Sequence, residues 1–128
     1  MNEKSKKILM IEDDIFLRKI YRDKLTRAGF EFIEAINGEE GLSKVISEKP
    51  DLILLDLILP RKNGFEVLTE IKSKKNLRRI PVVILSNLAQ EADKTRGLEL
   101  GAADYLVKTD VTLAEVVEKV KEWLLKAG

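Results

Sequence analysis

The chain has 128 residues, 45% of them hydrophobic, enough for one compact domain with a packed core and too few for two. Its 23 Lys and Arg against 22 Asp and Glu leave a net charge of +1, so nothing biases it as a whole toward nucleic acid or anionic membrane. The absence of both Cys and His excludes disulfides, thiolate or imidazole metal sites, a cysteine nucleophile, a Ser-His-Asp triad and a phosphohistidine.

The polar start MNEKSKK lacks the hydrophobic part of a signal peptide, and residues 1–6 read as a flexible tail. No apolar run approaches the roughly 18 residues of a membrane span, so a cytoplasmic chain is expected. KILMI, Lys7 to Ile11, predicts a first strand, and Leu17, Ile20, Tyr21, Leu25 and Ala28 fall on one face of a helix that stops at Gly29. FEFIEAI, Phe30 to Ile36, predicts a second strand whose glutamates suit a sheet edge. Asn37 with Glu40 then marks a helix start, and Leu42, Val45 and Ile46 its apolar stripe.

Pro50 precedes a third strand, Leu52 to Leu55, and Asn63 with Glu66 opens a third helix carrying Val67, Leu68 and Ile71. KSKKNLRR, Lys72 to Arg79, holds five basic residues without interleaved aromatics and reads as a solvated loop, not a nucleic-acid patch. Pro81 precedes a fourth strand, Val82 to Leu85. The following EADKTRGLEL has only a thin apolar stripe, so the fourth helix should be the least firmly packed. Tyr105 to Val107 predicts a fifth strand. Thr112 with Glu115 opens the last helix, whose Leu113, Val116, Val117, Val120, Trp123 and Leu124 share one face.

Four of the five strands lack polar alternation, as strands buried on both faces do. Strand then helix, repeated five times, predicts an α/β domain with a doubly wound parallel sheet and helices on both faces. In such a sheet ligands bind beyond the carboxyl ends of the strands. Strand one ends in Glu12, Asp13 and Asp14, strand three in Asp56, strand four in Ser86 and strand five in Lys108. Crowded carboxylates hold either protons or a cation. With oxygen donors only, the fitting ion is Mg²⁺, or Mn²⁺. A divalent ion attracts phosphate, to which Lys108 and Ser86 would add a charge and a hydrogen-bond donor, and an aspartate held there is a carboxylate nucleophile for phosphorus.

LMIEDD, LLDLILP, VVILSN and YLVK, in that order and spacing, resemble the receiver domain of bacterial two-component response regulators, of the stand-alone chemotaxis-regulator type. The resemblance covers nearly the whole chain. It implies one receiver domain over residues 1–128 with no output domain, and a flavodoxin-like strand order 2-1-3-4-5. Carried over by position, it implies Asp56 as phosphoacceptor, Asp13 as direct Mg²⁺ ligand, and Glu12 as the acid holding the ion through water. The backbone carbonyl of Ile58 becomes a further ligand, Lys108 the phosphoryl-binding cation, Ser86 the switch hydroxyl and Tyr105 the switch aromatic.

A sensor histidine kinase or a histidine phosphotransfer protein is the implied donor. The output would be a repacked surface of helix four, strand five and helix five that controls a partner protein, and that face is where phosphorylation-dependent dimerisation would occur. No direct contact with nucleic acid or membrane is implied. The chain would catalyse only its own phosphorylation and dephosphorylation.

Two positions depart from the family pattern. Thr109 stands where proline usually follows the lysine; a cis bond before threonine would cost about 2.5–4 kcal/mol, so a trans bond and an altered loop are expected. Asn87 replaces the small residue that usually follows the switch hydroxyl. Ile58 and Leu88 offer no polar side chain to place an attacking water, which implies slow self-dephosphorylation. The alternative is a receiver-like module that binds partners without phosphorylation. A flavin carrier is disfavoured by the acidic loop after strand one, and an aspartate-dependent phosphatase by Ile58 where its second acid would stand.

Overall fold

A computed structural model describes residues 5–127. Strands β1 (Lys7–Ile11), β2 (Glu31–Ala35), β3 (Leu52–Leu55), β4 (Val82–Ser86) and β5 (Asp104–Val107) alternate with helices α1 (Ile15–Arg27), α2 (Gly38–Glu48), α3 (Gly64–Ser73), α4 (Glu91–Glu99) and α5 (Leu113–Ala127). All strand pairs are parallel and the order across the sheet is β2-β1-β3-β4-β5, the flavodoxin-like doubly wound arrangement. Of the tail expected over residues 1–6, residues 1–4 lie outside the described residues; the Lys6 carbonyl accepts the Glu31 amide at 2.9 Å.

The apolar runs of the sequence have a direct cause in this sheet. Along β1, β3 and β4 successive side chains enter opposite layers: Ile8, Met10, Leu52, Leu54, Val83 and Leu85 meet Tyr21 and Leu25 of α1 and Val116, Val117 and Val120 of α5. Leu9, Ile11, Ile53, Leu55, Val82 and Ile84 meet Val45 of α2 and Val67, Leu68 and Ile71 of α3. β3, β4 and all of β1 beyond Lys7 are therefore buried, and each fully buried Leu, Ile or Val contributes about 1.5–3 kcal/mol. β2 lies at one edge, as its glutamates indicated; β5 lies at the other and is half-buried at Asp104 and Tyr105.

The helix starts follow the sequence. Asn37 accepts the Glu40 amide at 2.8 Å, while Asn63 with Glu66 and Thr112 with Glu115 form reciprocal capping boxes. Asn63→Ala is expected to lower stability by about 1 kcal/mol, read as a shift of the urea midpoint with unchanged slope.

Helix faces are less faithful to periodicity. Ile20, Ala28 and Ile46, expected on apolar stripes, are exposed, whereas Arg18 is buried. α1 meets the sheet through Arg18, Tyr21 and Leu25, a narrower stripe, and the arginine is admitted because its polar atoms find partners at the end of β1 and on β2.

α4 is the least anchored helix. Gly97 is its one buried residue, and Gln90 at its start makes no side-chain cap. A Cβ on Gly97 would come within 2.6 Å of Ile84 Cδ1 and 3.1 Å of the Tyr105 ring, so the bare backbone lies directly on β4 and β5. On its outer side Arg96 stacks on the Phe65 ring of α3, 4.1 Å from the centroid.

Candidate functional site

Register assembles the site. Ile11 is paired with Leu55, and the Asp56 amide donates to the Ile11 carbonyl at 3.0 Å, so Glu12 and Asp56 leave adjacent strands at the same level. Ser86 is paired with Val107, which delivers Lys108 one residue later. Gly64 lets the chain return: a Cβ there would lie 2.3 Å from the Asp56 carbonyl oxygen.

Lys108 is the centre of the charge arrangement. Its Nζ lies 2.9 Å from Asp56 Oδ2, to which it donates, and 2.6 Å from Glu12 Oε1. Asp56 is 5% exposed and Glu12 1%. The other Asp56 oxygen accepts the Ile58 amide at 3.3 Å, and Glu12 Oε2 accepts the Asp14 amide at 3.0 Å. Glu12 Oε1 has the Lys108 amine as its one neighbouring donor among the described residues.

Burial pushes the Glu12 carboxyl above its usual range, and the Asp56 charge adds to this; Lys108 and the Asp14 amide oppose it without prevailing. Burial by itself would lower the Lys108 amine, but its contacts with Glu12 and Asp56 outweigh that and raise it. The amine is therefore fully charged at neutral pH.

Carboxylate oxygens of Glu12, Asp13 and Asp56 all lie within 4.8 Å of one another. Three acids face one amine, and every side-chain atom that could bind an ion is oxygen. That set fits a small, hard divalent cation that keeps part of its water shell. Asp14 is spent differently: its Oδ1 accepts the Phe16 and Leu17 amides at 2.8 and 3.4 Å, capping α1.

Ser86 and Tyr105 do not touch the acids. They hold the two ends of one peptide residue instead: Ser86 Oγ accepts the Leu88 amide at 3.4 Å, and Tyr105 Oη donates to the Leu88 carbonyl at 2.7 Å. Ser86 is wholly buried. Tyr105 has its phenol pushed up to about 12 by burial and by the charges of Asp93 and Asp56, so it stays a donor at neutral pH.

No peptide bond among the described residues is cis, so Lys108–Thr109 is trans as expected, and Lys108–Asp110 coils into a single 3-10 turn. Asn87 and Ile58 are exposed beside the crevice.

Arg18 was not among the expected site residues. It donates to the Glu12 carbonyl at 2.8 Å and to Glu34 at 2.7 Å. The available signal is an arginine on the sheet-facing side of α1, one turn beyond the acidic loop, together with a glutamate inside β2.

An acidic, single-lysine crevice at the carboxyl ends of a flavodoxin-like sheet suits phosphoryl groups handled with a divalent cation; a flavin phosphate would face three acids with one amine and no cation to offset them. The chain belongs to the response regulator receiver domain family, whose model matches residues 8–121.

Among curated proteins it is 41% identical over 104 residues to the alkaline phosphatase synthesis transcriptional regulatory protein PhoP of Bacillus subtilis, covering 81% of this chain and 42% of that protein. It is 35% identical over 123 residues to the phosphate regulon transcriptional regulatory protein PhoB of Pseudomonas aeruginosa, covering 96% of this chain and 53% of that one. The chain thus spans about half the length of these curated relatives. Among solved structures, the receiver domain of the Francisella response regulator 1452 superposes with a TM-score of 0.90 at 26% identity, covering 97% of this chain and all of that one. The BeF3-activated N-terminal receiver domain of Klebsiella pneumoniae RstA superposes at 0.86 and 28% identity, covering 93% and 98%.

No helix among the described residues is long and apolar enough to cross a membrane.

Proposed function

We propose that this receiver takes a phosphoryl group on Asp56 from a phosphohistidine donor, a sensor histidine kinase or a histidine phosphotransfer protein, in the cytoplasm. The observation that carries this reading is the single amine of Lys108, in contact with both Asp56 and Glu12. It gives a nearly buried carboxylate a counter-charge at the end of its strand, the setting a carboxylate nucleophile needs.

Asp56 attacks phosphorus in line with the breaking P–N bond, whose electron pair leaves on the donor imidazole, and an acyl phosphate results. Lys108 stays within reach of the incoming oxygens and neutralises part of their charge. Glu12, Asp13, Asp56 and the Ile58 carbonyl would hold Mg²⁺, or Mn²⁺ in its place, and the bound ion supplies charge neutralisation for the phosphoryl oxygens. Ile15, Phe16, Ile36 and Ile58, large and exposed, follow the carboxyl ends of β1, β2 and β3 and give a donor protein an apolar rim to dock on. The chemistry ends with self-phosphorylation and self-dephosphorylation.

The output follows from Leu88. When Ser86 turns its hydroxyl to the phosphoryl group it gives up the Leu88 amide, and the Tyr105 bond to the Leu88 carbonyl is then free to exchange. That loosens the loop entering α4 and shifts the α4, β5 and α5 surface toward a second arrangement. A downstream protein, or a second receiver, reads that surface, without direct contact of this domain to nucleic acid or membrane.

The test is incubation with acetyl phosphate and Mg²⁺, read by intact mass. One added phosphoryl group that disappears when Mg²⁺ is chelated supports the reading, and no modification overturns it. Ile58 and Leu88 provide no polar side chain to orient water, so the phosphoryl group is expected to persist for many minutes and to be lost faster in Ile58→Asn. A wild-type half-life of seconds, unaltered by that substitution, would contradict this.

A further inference from the structure

We propose that Arg18 is a positioning residue for the acidic site: its guanidinium fastens the Glu12–Asp13 peptide to β2 and so sets the direction in which Asp13 presents its carboxylate. The inference rests on the cation-site reading of Glu12, Asp13 and Asp56.

Arg18 is 8% exposed, one of three buried residues of α1 beside Tyr21 and Leu25. Its Nη1 donates to the Glu12 carbonyl at 2.8 Å and its Nε to Glu34 Oε1 at 2.7 Å. Glu34 is itself held: its second oxygen pairs with Arg22, and its carbonyl accepts Lys44 Nζ at 2.5 Å. The Glu12 amide meanwhile donates to Ala35 at the end of β2, at 3.0 Å. Both backbone polar groups of Glu12 are therefore anchored to the same edge strand.

A peptide unit is planar, so the Glu12 carbonyl and the Asp13 amide share one plane. Fixing the carbonyl oxygen fixes that plane, and Asp13 is left only its own dihedrals. This matters because Asp13 is the one exposed member of the carboxylate cluster, with no packing of its own to hold it. Outer groups that orient metal ligands commonly govern affinity without touching the ion.

The fork is specific to arginine. A planar guanidinium presents parallel donors to two acceptors at once, whereas a lysine ammonium at the same place is a point charge that satisfies one of them. Glu34 has a second effect: it balances the buried charge of Arg18, which would otherwise repel a cation in the crevice.

The test is Mg²⁺ titration by calorimetry of wild type, Arg18→Lys, Glu34→Gln and Asp13→Asn, with urea unfolding of each in chelator. Arg18→Lys and Glu34→Gln are each expected to weaken Mg²⁺ binding about tenfold while unfolding cooperatively, and Asp13→Asn to abolish binding. A role confined to holding α1 would lower stability and leave the affinity of the folded protein unmoved.

Should Arg18→Lys fail to fold, Glu34→Gln carries the test, because it keeps Arg18 and weakens its charged anchor on β2 to a neutral hydrogen bond, and titration at high salt screens out the accompanying loss of charge. Wild-type affinity in a folded Glu34→Gln, with binding abolished in Asp13→Asn, overturns the positioning role and leaves the cation site standing. No Asp13-dependent binding in the wild type overturns both.

Discussion

Asp56→Asn is expected to take up no phosphoryl group from acetyl phosphate and Mg²⁺, under conditions in which the wild-type chain gains one. A carboxamide oxygen carries no negative charge and its nitrogen pair is delocalised, so the group that replaces the nucleophile cannot attack phosphorus at a useful rate. The substitution is also clean. Lys108 keeps Glu12 at contact distance, so the buried amine retains a counter-charge, and removal of the Asp56 charge relieves one of the influences holding Glu12 above its usual range. The variant should therefore melt cooperatively, and its silence toward acetyl phosphate is then chemical. Modification of the Asn variant at the wild-type rate would place the acceptor elsewhere.

The second large effect is on stability. Lys108→Met is expected to cost about 3 kcal/mol or more in metal-free buffer at neutral pH, because it strands two buried carboxylates that share one amine. Its pH dependence has a defined sign. Glu12 has a raised folded-state value, so its contribution to stability is full below the ordinary carboxylate range and is lost as pH rises through the raised value. Lys108 is also raised, so its stabilisation is full below the ordinary lysine range and is lost only in alkali; the wild type has all of it at neutral pH.

Without Lys108, protonating Glu12 removes one of the two unpaired charges. The gap between variant and wild type, measured by urea unfolding, should narrow as pH falls through the raised Glu12 value toward the ordinary carboxylate range. Mg²⁺ should narrow it too, since the acids freed of the amine bind the ion more tightly than in wild type and each tenfold gain in affinity adds about 1.4 kcal/mol to the variant's folded state. A gap unchanged by acid and by Mg²⁺ would mean that Lys108 acts through packing alone.

Much of this fold was legible because β1, β3 and β4 are buried on both sides. Their residues need no polar alternation, and a run such as LILL has no other economical place than the interior of a parallel sheet. The cap residues were legible for a local reason, since Asn63 and Glu66 satisfy each other within one turn. The positions of Glu12, Asp56 and Lys108 followed from where the apolar runs stop.

Long-range partners were not legible. Periodicity placed Ile20 and Ala28 inward and overlooked Arg18, because nothing in the local sequence reveals that the Glu12 carbonyl and the Glu34 carboxylate lie within its reach. It grouped Asp14 with the metal-type acids, although the backbone amides at the start of α1 claim that side chain first. Ser86 was readable at the end of its strand, and Tyr105 only through the family resemblance. Their common hold on Leu88 depends on a loop path that no propensity encodes.

Gly97 gives α4 a mechanical character of its own. A helix that packs through side chains is keyed to the strands beneath it, and each small displacement must lift a knob out of its hole. α4 has a bare glycine at that contact and no side-chain cap at its start. It rests on Ile84 and Tyr105 as on a bearing, and friction, not a lock, opposes its travel. In the proposed switch, a signal of one or two hydrogen bonds, about 1–3 kcal/mol, therefore meets little side-chain interlocking at α4.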